Sequence, residues 1–140
     1  MNYFYFSIEN NFDAVIANMT FHSVENIETA FKSIYASLKS KGVLIFSLPH
    51  PRYYPERERF RDLFKAMGYE YTKLSFHKIP FTISLDPEPL PGSIPYFHRP
   101  ISYYEFLLSK TGFWLVELSA PIPDKELMRR YRNSWNAPIY

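Results

Sequence analysis

The sequence predicts an α/β fold built around a parallel sheet. Two short apolar runs, residues 12–18 and 43–48, flank a segment whose apolar residues repeat at helical spacing. A nearly continuous apolar run is typical of a strand that is buried on both faces, as in a parallel sheet. Because the connections are short, the three segments predict a strand–helix–strand unit with parallel strands.

The helix of this unit has signals at both ends. Asn26 is predicted to cap its N-terminus, with Glu28 in the first turn. Lys39 and Lys41 suit the negative end of the helix dipole, and Gly42 is predicted to terminate the helix. The face that we expect to pack on the sheet consists of Ile27, Ala30, Phe31, Ile34 and Leu38.

The middle of the chain is less regular. A helix is predicted between Pro55 and Gly68. Residues 79–85 alternate apolar and polar side chains, which predicts a half-buried strand, and Pro80 favours an edge because it cannot donate a ladder hydrogen bond. Residues 86–92 are rich in proline and are predicted to form a stiff loop. The apolar positions of the helix are Phe60, Leu63, Phe64 and Met67.

Regular structure is predicted again from Ser102. Ser102 and Glu105 have the spacing of a capping box, in which each side chain bonds a free backbone N–H at the start of a helix. This helix runs to Gly112, and the apolar residues 113–118 predict a third strand. A short basic helix is expected within residues 123–140, around Arg129, Arg130 and Arg132.

Composition excludes several kinds of function. The chain is 46% hydrophobic and 21% charged, as expected for a globular domain. Its formal net charge of +2 favours neither nucleic acid nor a membrane surface, and no apolar run approaches the ~20 residues of a membrane span. The absence of cysteine excludes disulfides, thiolate metal sites and a cysteine nucleophile, and fits a cytoplasmic protein. The four histidines lack metal-ligand spacing, so no metal is expected.

Two segments are more specific than any periodicity. Residues 12–24 read FDAVIANMTFHSV, and residues 39–47 read KSKGVLIFS. The first resembles the fourth strand and following loop of class I S-adenosylmethionine (SAM)-dependent methyltransferases, in which an FD step and apolar residues lead into an LH step and a helix. The second resembles the family's LKPGG turn into its fifth strand, with Ser40 and Lys41 standing where proline and glycine are usual.

Further motifs follow in the family's order. His50-Pro51 and residues 97–102, FHRPIS, are similar to a small-molecule branch, in which HP follows the fifth strand and HRP(L/I)S precedes the next helix. Gly112-Phe113 then leads into the sixth strand. The resemblance implies an incomplete Rossmann-like sheet with a lid insertion.

The resemblance covers nearly the whole chain as one partial methyltransferase domain, residues 1–140. It implies a βαβ unit at residues 12–48, a substrate lid inserted at 52–101, and a helix, strand and tail at 102–140.

Both ends of the family's domain are expected to be missing. The four glycines never occur as GxG, so the glycine-rich loop that cradles SAM in the family has no counterpart here, and neither has its acidic ribose-binding residue. Residues 138–140 resemble the start of a seventh strand that stops early. Without the first strands, the sheet is expected to present a bare apolar edge.

Residues for the cofactor follow from the resemblance. In the family, the backbone at the end of the fourth strand lies against the methionine part of SAM, which implies that Ala17, Asn18 and Met19 contact the cofactor. The alternative is that Asn18 only ends the strand and caps the loop. Asn2 falls where the family often has a residue that meets the adenine amine.

Candidates for the substrate site lie further along. His50 follows the second predicted strand, at the edge where doubly wound sheets bind ligands, and is a candidate general base or hydrogen-bonding group; the alternative is a rigid His50-Pro51 turn. His98 and Arg99 are expected to reach the same pocket from the lid, with Arg99 pairing with a substrate carboxylate or bridging to the lid. His22 is expected to bond backbone at a helix start, with catalysis as the alternative.

Two charged segments are interpreted as solvated surface. Residues 52–61 mix arginine with Glu56 and Glu58, which is typical of an exposed helix face rather than an anion site. The arginines near residue 130 surround Tyr131, but a near-neutral chain without an RNA-binding motif does not favour nucleic acid.

Together these observations predict SAM-dependent methylation of an unidentified small molecule. The alternative is non-enzymatic: a truncated, inactive remnant, or a subunit whose open edge is buried by a second copy or by a partner with the missing half. A nucleic-acid-binding module is a third hypothesis. No single residue of the lid indicates the methyl acceptor.

Overall fold

The computed structural model describes residues 10–81 and 90–130 and confirms the α/β class. Its strands form two small sheets: β1 and β2 pair in parallel, and β3 and β4 pair antiparallel. The predictions for Asn2, Arg132 and residues 138–140 lie outside the described residues. The elements in chain order are β1 (Phe12–Asn18), a 3-10 turn (Phe21–Ser23), α1 (Ile27–Ser37), β2 (Leu38–Ser47), α2 (Glu58–Ala66), β3 (Ser75–Phe81), β4 (Leu90–His98), α3 (Ile101–Thr111) and α4 (Lys125–Arg130).

The predicted strand–helix–strand unit is confirmed. β1 and β2 run in parallel, with α1 between them in the chain. Asn26 caps α1 as predicted, because its Oδ1 accepts a hydrogen bond from the backbone N–H of Thr29 at 3.1 Å. Glu28 in the first turn pairs with Lys32 of the same helix at 2.8 Å and with Lys110 of α3 at 3.0 Å. The second ion pair joins the two helices at the surface.

The end of α1 differs from the prediction. The helix ends at Ser37 and β2 begins at the next residue, so Gly42 does not terminate the helix and Lys39 does not lie at its end. The Lys39 ammonium instead pairs with the carboxylate of Asp13 in β1 at 2.9 Å. Strand pairing with β1 is therefore favoured over continuation of α1 beyond Ser37.

β2 accommodates the extra residues of this segment in a bulge. Phe12 pairs with Leu38, but the register resumes only where Ala14 meets Val43. Lys41 lies in the bulge with a φ of +66°, a left-handed conformation that favours glycine. The glycine at 42 serves a different purpose, because a Cβ there would lie 2.9 Å from the carbonyl oxygen of Lys39.

One face of the β1–β2 sheet is covered by α1 and α3. Ala17, Leu44 and Phe46 on this face pack against an aromatic core. The ring of Phe21 meets the rings of Phe31 and Phe46 edge-on, each at 5.1 Å between centroids. The buried members of this core are Phe21, Ile27, Phe31, Tyr104, Leu107 and Leu108.

The opposite face of the same sheet is largely uncovered. Ile16 is 73% exposed, and its partner Ile45 is 57% exposed. Val43, two residues before Ile45 on the same face, is 48% exposed. Among the described residues, β1 has no strand partner other than β2, as expected for the predicted bare edge. The uncovered face of the sheet is an additional feature that was not predicted.

Residues 52–81 and 90–101 belong to the predicted lid and keep that name below; they have a core of their own where α2 packs on the β3–β4 hairpin. α2 begins at Glu58 rather than Pro55, which lies in a preceding turn, and it ends before Gly68, whose φ is +68°. The strand predicted over residues 79–85 is observed as β3, Ser75–Phe81, at a sheet edge as predicted from Pro80, and the predictions for residues 82–89 lie outside the described residues. The buried residues are Phe60, Phe64, Ile79 and Tyr96, with Tyr54, Leu63, Tyr69 and Ile94 packed around them.

Strand β4 is not predicted by the sequence pattern. Residues 90–92, expected in a stiff loop, form its start, and Pro91 and Pro95 both lie within it. Proline is tolerated because β4 has one partner, β3, in the described sheet, so half of its backbone groups need no ladder bond. Tyr96 is only 1% exposed, and its burial stabilises the strand more than the strand propensity of the sequence does.

Helix α3 starts earlier than predicted. Its N-cap is Pro100, so the capping box of Ser102 and Glu105 is wrong. Pro100 has a φ of −59° and a ψ of 155°, and its carbonyl oxygen accepts a hydrogen bond from the N–H of Tyr103 at 3.0 Å. The restricted φ of proline sets this start and puts Ser102 inside the first turn. The helix ends at Gly112 as predicted.

The predicted third strand, residues 113–118, is not a strand in the structure. Trp114 and Val116 are each 89% exposed, and no described strand lies beside this segment. An isolated strand leaves its backbone groups unpaired, so apolar character alone does not produce one. The predicted basic helix is confirmed over Lys125–Arg130. No described helix has the length and apolar character needed to cross a bilayer.

Two glycines with positive φ provide a matched test of the packing at the end of α3. Gly68→Ala is expected to cost about 1 kcal/mol, because only the left-handed backbone is strained. Gly112→Ala is expected to cost about 1 kcal/mol more, since its Cβ would lie 3.0 Å from the ring of Tyr35 and displace that ring from Phe113. Urea denaturation measures both costs; equal costs would contradict the proposed contact, and Tyr35→Ala should abolish the difference.

Candidate functional site

Two polar side chains meet where β1 and β2 end. Parallel strands have their carboxyl ends at the same edge of a sheet. Asn18, the last residue of β1, is therefore able to lie beside Ser47, the last residue of β2, and the two are partners in the register. The Ser47 hydroxyl donates a hydrogen bond to Oδ1 of Asn18. The side-chain oxygen of Asn18 is thereby engaged, and its NH₂ group is the part left to meet a ligand.

The next residue turns the chain sharply away from the strand. Met19 has a φ of +51°, which is uncommon for a residue with a side chain and tends to occur at functional sites. Its N–H donates to the carbonyl oxygen of Ser47 at 3.1 Å and to the Ser47 hydroxyl at 3.2 Å. The hydroxyl of Thr20 then donates to the carbonyl oxygen of Asn18 at 2.9 Å. The turn is therefore held by its own polar groups, with Asn18 exposed at the sheet edge.

His50 lies three residues beyond β2 and is 8% exposed. Its Nδ1 accepts a hydrogen bond from the N–H of Arg52 at 3.3 Å, and its carbonyl oxygen accepts one from the N–H of Tyr54 at 2.8 Å. Burial lowers the pKa of this imidazole, and the charge of Arg52 lowers it further. His50 thus stabilises a turn as a neutral ring with its proton on Nε2, and this N–H is available to a ligand.

His98 ends β4 and is almost completely buried, at 1% exposed. Its Nε2 donates a hydrogen bond to the carbonyl oxygen of Tyr71 at 2.8 Å, while its Nδ1 is buried without a partner in the described part of the chain. Burial lowers the pKa of His98, and the charge of Arg99 acts in the same direction. The ring is therefore held neutral within the lid.

Arg99 joins the lid to the βαβ unit. Its guanidinium donates to the carbonyl oxygens of Phe21 at 3.3 Å, Val24 at 2.8 Å and Glu25 at 2.6 Å. Three of its five N–H groups are used in this way. The guanidinium also hydrogen-bonds the side chain of Tyr104 in α3. This geometry matches the bridging alternative from the sequence.

Two open clefts border Arg99. They measure about 450 and 320 Å³ and share Glu25, Arg99 and Tyr103 in their walls. The smaller cleft also includes His98, but neither cleft is lined by Asn18 or His50. The candidate residues therefore form two groups: Ala17 to Met19 with Ser47 at the sheet edge, and His98 with Arg99 at the junction of the lid with the βαβ unit.

Ser47 and Tyr96 are not among the residues predicted for the site. For Ser47 the sequence does contain a signal, because aligning the ends of the two predicted strands pairs it with Asn18. Nothing in the sequence distinguishes Tyr96 from the other eleven tyrosines. His22 was expected to bond backbone, yet its Nδ1 is buried without a partner among the described residues, and its ring lies 6.0 Å from that of Tyr96.

No group of three or more acidic or histidine side chains that could hold a metal ion occurs within residues 10–81 and 90–130.

Comparison with known proteins identifies a matching family and a curated relative. The family described as a methyltransferase domain matches residues 7–83, more than half of the chain. A curated protein of Haemophilus influenzae, described as uncharacterized, is 42% identical over 43 residues, which are 31% of this chain and 17% of that protein.

Two solved structures share the fold over nearly the whole chain. A crystal structure from Listeria monocytogenes, assigned as an S-adenosylmethionine-dependent methyltransferase, aligns with a TM-score of 0.63 and 21% identity. A structure of an S-adenosylmethionine-dependent methyltransferase from Mesorhizobium loti aligns with a TM-score of 0.60 and 15% identity. Each alignment covers 94% of this chain but only 59% and 60% of the respective neighbour. The chain thus spans about three fifths of their length.

The bridging role of Arg99 is tested by replacing it with lysine. Arg99→Lys is expected to destabilise the fold by about 2–3 kcal/mol, because a single compact ammonium cannot take the place of the two guanidinium nitrogens that reach the three carbonyl oxygens. Arg61→Lys is the control, since Arg61 also donates to a carbonyl oxygen, that of Glu56, but is exposed. Urea denaturation measures both; an Arg99→Lys cost no larger than that of Arg61→Lys would contradict the bridge.

Proposed function

Since this chain belongs to the methyltransferase domain family, we propose that it is the substrate-facing part of a SAM-dependent methyltransferase that acts on a small molecule. The carboxyl edge of the β1–β2 sheet forms one wall of the SAM site. The lid and its junction with the βαβ unit form the substrate side. The observation that carries the proposal is the arrangement of Asn18, Met19 and Ser47 at that edge.

The chemistry of this edge fits one wall of a SAM site. SAM offers a carboxylate, ring nitrogens and hydroxyl oxygens as hydrogen-bond acceptors. The NH₂ group of Asn18 is exposed and oriented by Ser47, and it supplies a matching donor. Ala17 and Met19 supply backbone beside it. The described residues from 18 to 20 and from 47 to 50 include no carboxylate, so the partners of the ribose and of the SAM ammonium come from elsewhere.

Bound SAM supplies a methyl group on sulfonium that is already reactive, so the protein's work is alignment and the exclusion of water. In the proposed arrangement, Asn18 orients the cofactor. His50 offers its Nε2–H to the substrate as a hydrogen-bond donor. His98 and Arg99 set the wall of the cleft, and the positive charge of Arg99 favours a substrate with an acidic group.

Calorimetric titration with SAM tests the cofactor wall. The chain is expected to bind SAM with a Kd on the order of micromolar, and Asn18→Ala is expected to weaken binding about 3- to 10-fold through the loss of one hydrogen bond. Asn11→Ala is the matched control, since Asn11 is an exposed asparagine at the other end of β1. Absent or millimolar binding would contradict the proposal, as would equal effects of the two variants.

A second candidate is that the chain works only when another polypeptide completes it. The observation in its favour is the uncovered face of the β1–β2 sheet, where Ile16, Val43 and Ile45 are about half exposed or more. About two fifths of each structural neighbour has no counterpart in this chain. In this hypothesis a second copy, or a partner with the remaining strands, covers that face. An inactive remnant would leave it uncovered.

Sedimentation equilibrium distinguishes these states. If a second copy covers the sheet face, the chain is expected to self-associate, and Ile45→Lys is expected to weaken the association at least about tenfold by burying an unpaired charge. Val116→Lys is the control, because Val116 is 89% exposed and lies outside the sheet. A chain that stays monomeric would exclude the second copy, and association that only Val116→Lys disrupts would place the interface elsewhere.

We further propose a cytoplasmic location. The support is a cysteine-free sequence, which needs no oxidising compartment.

A further inference from the structure

Three of the four histidines pack around one buried tyrosine. The ring of Tyr96 lies 6.0 Å from that of His22, 6.5 Å from that of His77 and 6.3 Å from that of His98. They come from three elements: His22 from the 3-10 turn of the βαβ unit, His77 from β3 and His98 from β4. The three histidines are called the histidine cluster below. His22 meets Tyr96 across the contact between the lid hairpin and the βαβ unit, whereas His77 and His98 pack against it from within the lid.

Two members of the histidine cluster cannot accommodate a second proton. His98 already donates from Nε2 to the carbonyl oxygen of Tyr71, and its Nδ1 is buried with no hydrogen-bond partner among the described residues. The Nδ1 of His22 is also buried without a partner there. Protonation at these atoms would create buried N–H groups that lack acceptors, which is costly.

The third member, His77, has a hydrogen-bond partner for one ring nitrogen. Its Nε2 lies 2.7 Å from the hydroxyl of Ser75, and the two groups are hydrogen-bonded. The imidazole is nevertheless buried, at 5% exposed, and packs edge-on against Phe64. A charge here would be placed among aromatic rings.

The groups that face the histidine cluster add positive rather than negative charge. The guanidinium of Arg99 follows His98 directly and lowers the pKa of His98, as does His77. Glu25 borders the same cleft as His98, but its side chain is exposed to solvent. The other titratable groups packed nearby are the phenol side chains of Tyr54, Tyr69, Tyr71 and Tyr96.

We propose that the histidine cluster makes the lid acid-sensitive, so that the β3–β4 hairpin comes away from the 3-10 turn and from α2 in mild acid while the β1–β2 unit stays folded. Each member is compatible with the closed lid as a neutral ring. Charging the cluster places imidazolium groups among aromatic rings, and the one at His98 lies beside Arg99. Opening exposes these rings to water, where the charge is solvated, and leaves a two-stranded hairpin that is only marginally stable by itself.

The direction of the pH effect follows from burial. Burial lowers the pKa of His22, His77 and His98 below the ordinary value of 6.5, so the open lid binds protons more readily than the closed one. Closure is therefore fully stable above pH 6.5 and weakens as the pH falls below it. Each unit by which one pKa is lowered corresponds to an opening constant that rises about tenfold.

His50 is the internal control. It is buried and its pKa is lowered too, but its ring packs on Tyr53 at 4.7 Å and its Nδ1 has a partner in the N–H of Arg52. It belongs to the turn after β2, not to the contact around Tyr96.

Hydrogen exchange between pH 7.5 and pH 5 tests the inference on the free chain, without cofactor. With intrinsic exchange rates corrected, protection of peptides from the paired parts of β3 and β4 is expected to fall at least about tenfold, while that of β1 and β2 stays constant. Combining His22→Gln, His77→Gln and His98→Gln is expected to remove this fall, and His50→Gln is expected to leave it in place.

Several results would overturn the inference. Constant protection of the hairpin, an equal loss in both sheets, or the same loss in the triple variant would each contradict an acid-sensitive lid. Should the triple variant not fold, imidazole NMR titration of the unmodified chain decides. Opening that follows the titration of the cluster supports the inference, and histidines that titrate near pH 6.5 with a closed lid refute it. None of these outcomes depends on SAM binding, so they are separate from the proposed function.

Discussion

When β1 and β2 pair in parallel, both strands end at the same edge, and this pairing determines where the polar groups of the chain can meet. It places Ser47 beside Asn18 and turns the chain at Met19. It also orients Leu44 and Phe46 toward α1 and α3, where the aromatic core forms, and leaves the other face of the sheet uncovered. The candidate cofactor edge and the open apolar surface are thus two results of one pairing.

The lid is attached to the βαβ unit through a small contact. Its own core, around Phe64 and Tyr96, is separate from the core under the sheet. Arg99 connects the two by donating to backbone carbonyl oxygens of the 3-10 turn and of the segment that leads into α1. Bonds to backbone depend little on the identity of neighbouring side chains. The lid can therefore vary in sequence while its attachment stays the same.

The sequence predicts the βαβ unit well because periodicity, the Asn26 cap and the short connections agree. It fails where tertiary contacts override local signals: β2 takes residues assigned to the end of α1, and Pro100 starts α3 ahead of the Ser102 capping box. β4 is not predicted because its prolines are typical of a loop, whereas the strand is stabilised by the burial of Tyr96. Within the site, residues 17–19 follow from family resemblance, whereas Ser47 requires the register and the surroundings of Tyr96 require the fold.

The left-handed residue in the bulge of β2 bears on how stability is distributed along the strand. Lys41 holds a φ of +66° although it carries a side chain. That conformation costs a lysine roughly 1 kcal/mol, whereas glycine adopts it freely. The ladder on either side of the bulge imposes the turn, so strand pairing offsets a local strain that the residue itself does not favour. The bulge is therefore a point at which β2 can be stabilised without altering either strand's pairing.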